Sequence, residues 1–187
     1  MPGTYGISET NHLRSALKHA PGVSGGRVIV IGSENPWVEA CVLEAGAKSV
    51  VTLEYGQIDS GHPQVSTLTP IQFRDMYNQG LIDPFDAIVT FSSVEHSGLG
   101  RYGDALNPWA DVLEIARAWC VCKEGGSLTV AVMYGADSIR FNADRQYGKI
   151  RWPYLATNWK QHYRESSGSQ RVHVFTREYL VPSVKKK

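Results

Sequence analysis

No apolar run in this sequence reaches the roughly 20 residues that a membrane-spanning helix needs. The opening stretch MPGTYGISET also lacks the apolar core of a secretory signal, although a chain excised from a longer protein would lose such a signal from view. Charge of one sign is scarce as well. Nineteen Lys and Arg stand against 18 Asp and Glu, a net charge of +1, which makes no electrostatic case for nucleic acid or an anionic membrane. The run Lys185-Lys186-Lys187 reads as a solvated end. Cysteine is sparse too: three residues cannot all pair within the chain. Cys41 and Cys120 lie in apolar helical patterns and Cys122 sits close to Cys120, so reduced thiols in a cytoplasmic-type compartment are expected. Cys120-Val121-Cys122 lacks the second ligand pair of a zinc site, and no metal is expected from it. Internal repeats and low-complexity linkers are missing.

What remains is an ordinary globular composition, 42% hydrophobic and 20% charged, over a length that suits one domain. The organising stretch is residues 27–46, RVIVIGSENPWVEACVLEAG. Val28-Ile29-Val30-Ile31 is a β-branched run closed by Gly32, as expected of a strand buried on both faces. Ser33-Glu34-Asn35 is a polar turn in which Ser33 and Asn35 can each cap a helix. Pro36 suits the first helical position, Trp37, Cys41, Val42 and Ala45 follow at helical spacing, and Gly46 suits the C-cap. A second strand, residues 49–53, ends in Glu54. This βαβ opening places an acidic residue about 20 positions beyond the glycine turn, where a Rossmann-type fold holds a ribose hydroxyl.

The rest of the chain continues the alternation. Residues 1–26 form a polar segment in which Ser8, Glu9, Thr10 and Asn11 can cap a short helix presenting Leu13, Ala16 and Leu17. That helix is expected either to pack on the sheet or to lie over a ligand cleft. Residues 27–187 are expected to form a single Rossmann-like domain. A third strand is expected at 64–68, a helix opened by Thr69-Pro70 that carries Ile71, Phe73, Met76 and Tyr77, and a strand at 85–91. The glycine-rich stretch 97–108 reads as a functional loop. A helix over 109–122 is expected to bury Val112, Leu113, Ala116 and Trp119, with a fifth strand at 127–133. Residues 134–168 read as loops and short helices, and 171–176 as an antiparallel edge strand. The pattern specifies an α/β sandwich around a mostly parallel sheet.

In such sheets ligands bind outside the carboxyl ends of the strands. Residues 32–35, Glu54, Tyr55, Thr69, residues 92–96, Tyr134 and Gly135 fall there. Gly32 stands alone where a dinucleotide fingerprint needs three glycines, and Glu34 would repel phosphate, so the turn argues against NAD and FAD. S-adenosylmethionine has no phosphate and carries an ammonium and a sulfonium that acidic neighbours favour. Glu54 can accept from its ribose hydroxyls, and Ser92 or Ser93 can meet its amino-acid end. The plain alternative makes Glu34 a solvated turn residue and Glu54 a surface charge.

Glu95 and His96 can act as orienting partner and base for a nucleophile losing a proton. They can also be a cap and a hydrogen-bonded loop histidine, or, with Asp104, ligands of a divalent metal. Arg101, Tyr102, Asp104 and Asn107 follow in the loop. Arg101 suits a substrate carboxylate or phosphate, or simply pairs with Asp104. Residues 141–148 and 150–154, rich in polar and aromatic side chains, can cover a sugar-like or other polar substrate or be local packing of a long connection.

VIVIGSENPWVEACVLEAGA, VTLEY, FDAIVTFSSVEHSGLGRYGDALNPWAD and FNADRQYG together resemble the family called domain of unknown function 268, over about residues 27–159. Its members are similar to class I S-adenosylmethionine-dependent methyltransferases. The resemblance implies the seven-stranded methyltransferase sandwich with an antiparallel final hairpin strand. It implies that Gly32, Ser33 and Glu34 form the cofactor loop, that Glu54 binds the ribose, and that Ser92 and Ser93 lie beside the reacting methyl. Asp144 departs from the family's N-A-H-R string, which has His there. The expectation is a methyltransferase acting on a polar small molecule, sugar-derived acceptors included, with His96 as base. The alternative is a non-catalytic binding or interaction domain on the same scaffold.

Overall fold

A computed structural model describes residues 3–167 and 170–178; the Lys185-Lys186-Lys187 run lies outside them. In chain order the elements are α1 (Ile7–Leu17), β1 (Arg27–Ile31), α2 (Trp37–Glu44), β2 (Ser49–Leu53), β3 (Val65–Leu68), α3 (Pro70–Asn78) and β4 (Phe85–Phe91). After a 3-10 turn at Val94–His96 come α4 (Ala110–Val121), β5 (Cys122–Met133), β6 (Ser138–Arg140), β7 (Asp144–Gln146), α5 (Trp152–Leu155), β8 (Trp159–Ser167) and β9 (Gln170–Arg177). None of the helices among the described residues is long and apolar enough to cross a membrane.

The main sheet has the order β3-β2-β1-β4-β5-β9-β8. The first five strands are parallel, and β9 runs antiparallel to both β5 and β8. Strand order reverses between β1 and β4, which opens a crevice at their carboxyl ends. The β1 residues explain the two layers. Val28 and Val30 face the core under α1 and α2, with Leu13, Leu17, Val38 and Val42. Ile29 and Ile31 face the core under α4 and α5, with Ile115, Ala118 and Leu155. A strand with both faces covered needs a continuous apolar run, and VIVI is one.

Several expectations are corrected. Residues 171–176 do lie in an antiparallel strand, but β9 is inserted between β5 and β8, so β8 holds the edge. The stretch 134–168 contains β8, whose sequence WKQHYRESS is mostly polar because one flank of an edge strand meets solvent. On α4 the buried residues are Asp111, Ile115, Ala118 and Val121, whereas Leu113 and Ala116 are exposed. The apolar pattern pointed to the wrong face because the inward face carries a carboxylate. No residue of α3 is buried, although it starts on a complete capping box between Thr69 and Gln72. Helix α1 packs on the sheet, with Ser15 hydrogen-bonded to the Tyr163 hydroxyl of β8 at 3.0 Å. Its N-cap is Gly6 rather than any of the polar residues 8–11.

His173 on β9 is 2% exposed, is hydrogen-bonded through Nδ1 to Gln161 Oε1 at 2.7 Å, and lies against Trp152. Burial, reinforced by Arg164 and Arg171, pushes its pKa down from 6.5 to about 3. The unfolded chain therefore binds a proton that the folded chain refuses, and stability falls as pH drops from 6.5 towards 3. His173→Gln is expected to lose about 2 kcal/mol less than wild type between neutrality and about pH 5, read from urea midpoints.

Candidate functional site

Gly32 follows β1 with φ 72°, a left-handed conformation that glycine adopts freely. A side chain there would run into the Ser93 hydroxyl, so the turn after β1 closes directly onto the turn after β4. Ser33 is buried and donates to the Asn35 carbonyl and to Glu39 Oε2, both at 2.8 Å. It makes no side-chain cap on α2, whose N-cap is Pro36. Glu54, at the end of β2, accepts from the Tyr55 backbone N–H at 2.7 Å.

Beyond β4 the backbone is held in an uncommon conformation. Ser92 has φ 48°, and its hydroxyl donates to Glu95 Oε1 at 2.8 Å. Glu95 is fully buried and its Oε2 has no hydrogen-bond partner. Burial pushes its pKa up to about 7. Glu95 therefore braces Ser92, and what engages His96 is a different group. The ring Nδ1 of His96 lies 2.6 Å from the Ala143 carbonyl. A carbonyl only accepts, so Nδ1 carries the proton and Nε2 of the neutral ring is left with its lone pair. Tyr102 stands edge-on to the same ring, with centroids 6.0 Å apart.

The loop that carries these groups is anchored from beneath by Arg145 of β7, which is fully buried. Its guanidinium donates to the carbonyls of Ser97 at 2.5 Å, Glu95 at 3.3 Å, Asn107 at 3.4 Å and Pro108 at 3.5 Å. Asp111, also fully buried, lies 3.8 Å from Arg145, 2.5 Å from Arg151 and 3.0 Å from the Tyr147 hydroxyl. Burial and the adjacent Asp111 carboxylate raise the Tyr147 pKa well above its ordinary value, so it serves as a neutral donor. Asp144 pairs with Arg140 across the β6–β7 hairpin, and this pairing outweighs burial to hold its pKa below the usual carboxylate range.

A cleft of about 1230 Å³ opens where these turns meet. Gly32, Ser33, Glu34, Glu54, Tyr55, Ser92, Ser93, His96, Tyr102 and Asp104 all line it. Three other expected site residues lie elsewhere. Thr69 is committed to capping α3, Glu95 sits behind the wall, and Arg101 leans over the Tyr102 ring at 5.7 Å. Arg101 and Asp104 do not pair. Asp104 instead accepts from the Gly98 and Tyr102 backbone, and although burial pushes its pKa up, those bonds hold it below the usual range. Among the described residues no three His, Cys, Asp or Glu side chains are grouped to hold a metal ion.

The sequence reading missed part of the lining. Tyr5 reaches the cleft from the segment before α1 and packs with Trp37 and Phe91, at centroid distances of 6.0 and 5.6 Å. Glu114 and Arg117 line the cleft from α4, and Arg74 from α3. Glu114 accepts from the Ser97 hydroxyl, and burial of its carboxyl pushes its pKa up to about 7. A polar residue at 114, one turn from an inward Asp111, is the signal that was available for this face.

Residues 25–179 match the family described as Caenorhabditis protein of unknown function, DUF268. The chain belongs to the DUF268 family. A search of curated proteins gives no match. Among solved structures, the chain is similar to the 1,6-didemethyltoxoflavin-N1-methyltransferase of Burkholderia thailandensis, solved with 1,6-didemethyltoxoflavin and S-adenosylhomocysteine bound. The TM-score is 0.63 at 12% identity, covering 92% of this chain and 77% of that one. It is similar to an O-methyltransferase family protein of the same organism, with TM-score 0.64 and 11% identity, over 92% of this chain and 57% of that one. An S-adenosylmethionine-dependent methyltransferase of Mesorhizobium loti gives TM-score 0.60 at 12% identity, covering 94% of this chain and 100% of that one. The fold is therefore the class I methyltransferase sandwich.

Removing Arg145 would take the donor from the Glu95 and Ser97 carbonyls, leave those of Asn107 and Pro108 to the Ala110 N–H and Arg151, and leave Asp111 short of one cation. Arg145→Met is expected to destabilise this DUF268 chain by about 3 kcal/mol or more in urea denaturation, with proteolysis of the 95–108 loop accelerated. Arg140→Ala, which removes an arginine whose side chain is 63% exposed, is expected to lower the urea midpoint far less than Arg145→Met does.

Proposed function

We propose that this chain binds S-adenosylmethionine in the cleft and transfers its methyl group to a polar small molecule, sugar-derived acceptors included. One observation carries the reading. The crevice at the carboxyl ends of β1, β2 and β4 is lined by four carboxyl groups, Glu34, Glu54, Asp104 and Glu114, against the two guanidinium groups of Arg74 and Arg117. That lining suits a ligand with cationic groups and disfavours a pyrophosphate. The close approach of Gly32 to Ser93 and the carboxylate of Glu54 fit the methionine end and the ribose of such a ligand. Three free cysteines support a reducing, cytoplasmic-type setting.

When bound, the cofactor supplies an electrophilic methyl on a sulfonium. The residues of the chain do the rest. Glu54 accepts from the ribose hydroxyls, and the turn of residues 32–34 receives the amino-acid end. Ser92 and Ser93 line the wall nearest the reacting centre. His96, with Nδ1–H held by the Ala143 carbonyl, takes the acceptor's proton on Nε2. Ala143 thus has the orienting task first given to Glu95. Most of the rate gain would come from positioning acceptor and methyl in line.

The test is calorimetric titration of the purified chain with S-adenosylmethionine and S-adenosylhomocysteine. Micromolar binding is expected, weakened at least tenfold, about 1.4 kcal/mol, in Glu54→Ala. A folded protein that binds neither ligand at millimolar concentration would favour the second reading, a non-catalytic binding or interaction module. The single glycine of the first turn is the feature that supports that alternative.

A further inference from the structure

Glu39 is the third residue of α2, the place from which a glutamate ordinarily reaches back to the N-cap backbone N–H. Here the N-cap is Pro36, which has no N–H to offer. The side chain turns inward instead and is 2% exposed. Its Oε2 accepts from Ser33 at 2.8 Å and its Oε1 from Thr52 at 2.7 Å. Ser33 directly follows Gly32 and lines the cleft; Thr52 stands two residues before Glu54 on β2. The Ser33 hydroxyl also reaches the Asn35 carbonyl, and the same carbonyl accepts from the Trp37 N–H at 2.8 Å.

We infer that Glu39 is a positioning residue that holds the turn after β1 in its ligand-receiving shape and fixes it to the end of β2. The inference rests on the proposed binding of S-adenosylmethionine but concerns a residue behind the wall of that site. A glycine-rich turn gains its shape from backbone freedom. This turn has one glycine, and side chains close it: Ser33 from within and Glu39 from behind. Glu39 makes no ion pair among the described residues, and burial, partly offset by the Thr52 and Ser33 hydroxyls, raises its pKa. A buried carboxyl with no cationic partner is costly to keep. Its hydrogen bonds join the two strand ends that present Ser33 and Glu54.

Glu39→Gln preserves volume but cannot accept from both hydroxyls at once, and Ser33→Ala breaks the same link at its other end. Each is expected to weaken S-adenosylmethionine about tenfold in calorimetry and to speed amide exchange at Trp37 by a similar factor. In the double variant the two losses should fall short of multiplying, because the Ser33–Glu39 bond is common to both. Unchanged affinity and exchange in both single variants, or losses that multiply in the double, would overturn the inference. If the wild type binds no ligand, the cofactor reading fails by itself. Amide exchange at Trp37 then still decides the role of Glu39, since protection retained in Glu39→Gln overturns it and protection lost supports it.

Discussion

The long loop at the carboxyl edge of this sheet rests on one buried guanidinium. Arg145 fills the space under the loop of residues 95–108 and donates to four of its carbonyls. A loop with glycines at 98, 100 and 103 has little conformational preference of its own. Its shape is imposed from below by a group that cannot lose its charge. That charge is tolerable because Asp111 is buried beside it and is shared with Arg151. From this arrangement follow the position of His96, the approach of Tyr102, and the hydrogen bonds that fold Asp104 back onto Gly98. The β6–β7 hairpin is thus part of the site's foundation, and its Ala143 carbonyl fixes the His96 tautomer.

The parts of the fold that were legible in the sequence are those where local pattern and tertiary role agree. VIVI-Gly32, the helix after it and the strand ending in Glu54 form a unit whose burial, turn and acidic end all follow from residue type. The parts that were not legible depend on partners far away in sequence. β8 reads as polar because its pairing with β9, and the contact of Tyr163 with α1, are long-range facts. α4 buries Asp111 because Arg145, Tyr147 and Arg151, more than thirty residues later, neutralise it. Hydrophobic periodicity assigns the inward face to apolar residues, so a helix that turns an ion pair inward is misread by construction. Thr69 shows the converse: a hydroxyl at a strand end looks like a ligand contact until the capping box claims it.

The same logic separates Glu95 from His96. Adjacent in sequence, a carboxylate and an imidazole suggest a dyad, yet the 3-10 turn at 94–96 sends their side chains to different partners. Glu95 stabilises the left-handed Ser92, a conformation that costs energy and persists only where its surroundings demand it. His96 finds a backbone carbonyl instead. A carbonyl fixes the ring's tautomer without placing a second charge beside it.

The distribution of buried charge follows a consistent rule. Below the loop, Asp111 is fully compensated by cations. At the cleft and immediately behind it, Glu39, Glu95 and the half-buried Glu114 accept from hydroxyls and make no ion pair among the described residues, and burial raises the pKa of each. These hydroxyls leave Glu95 Oε2 without a partner and leave net charge unbalanced when the carboxyls ionise. Fold stability would be better served by apolar residues at these three positions. Their placement around one crevice is therefore costly to stability, and uptake of a proton is what relieves that cost when no counter-ion is near. A phosphate-bearing ligand would meet the lining carboxyls of Glu34, Glu54 and Asp104 as repulsion, and would find only one glycine at the first turn.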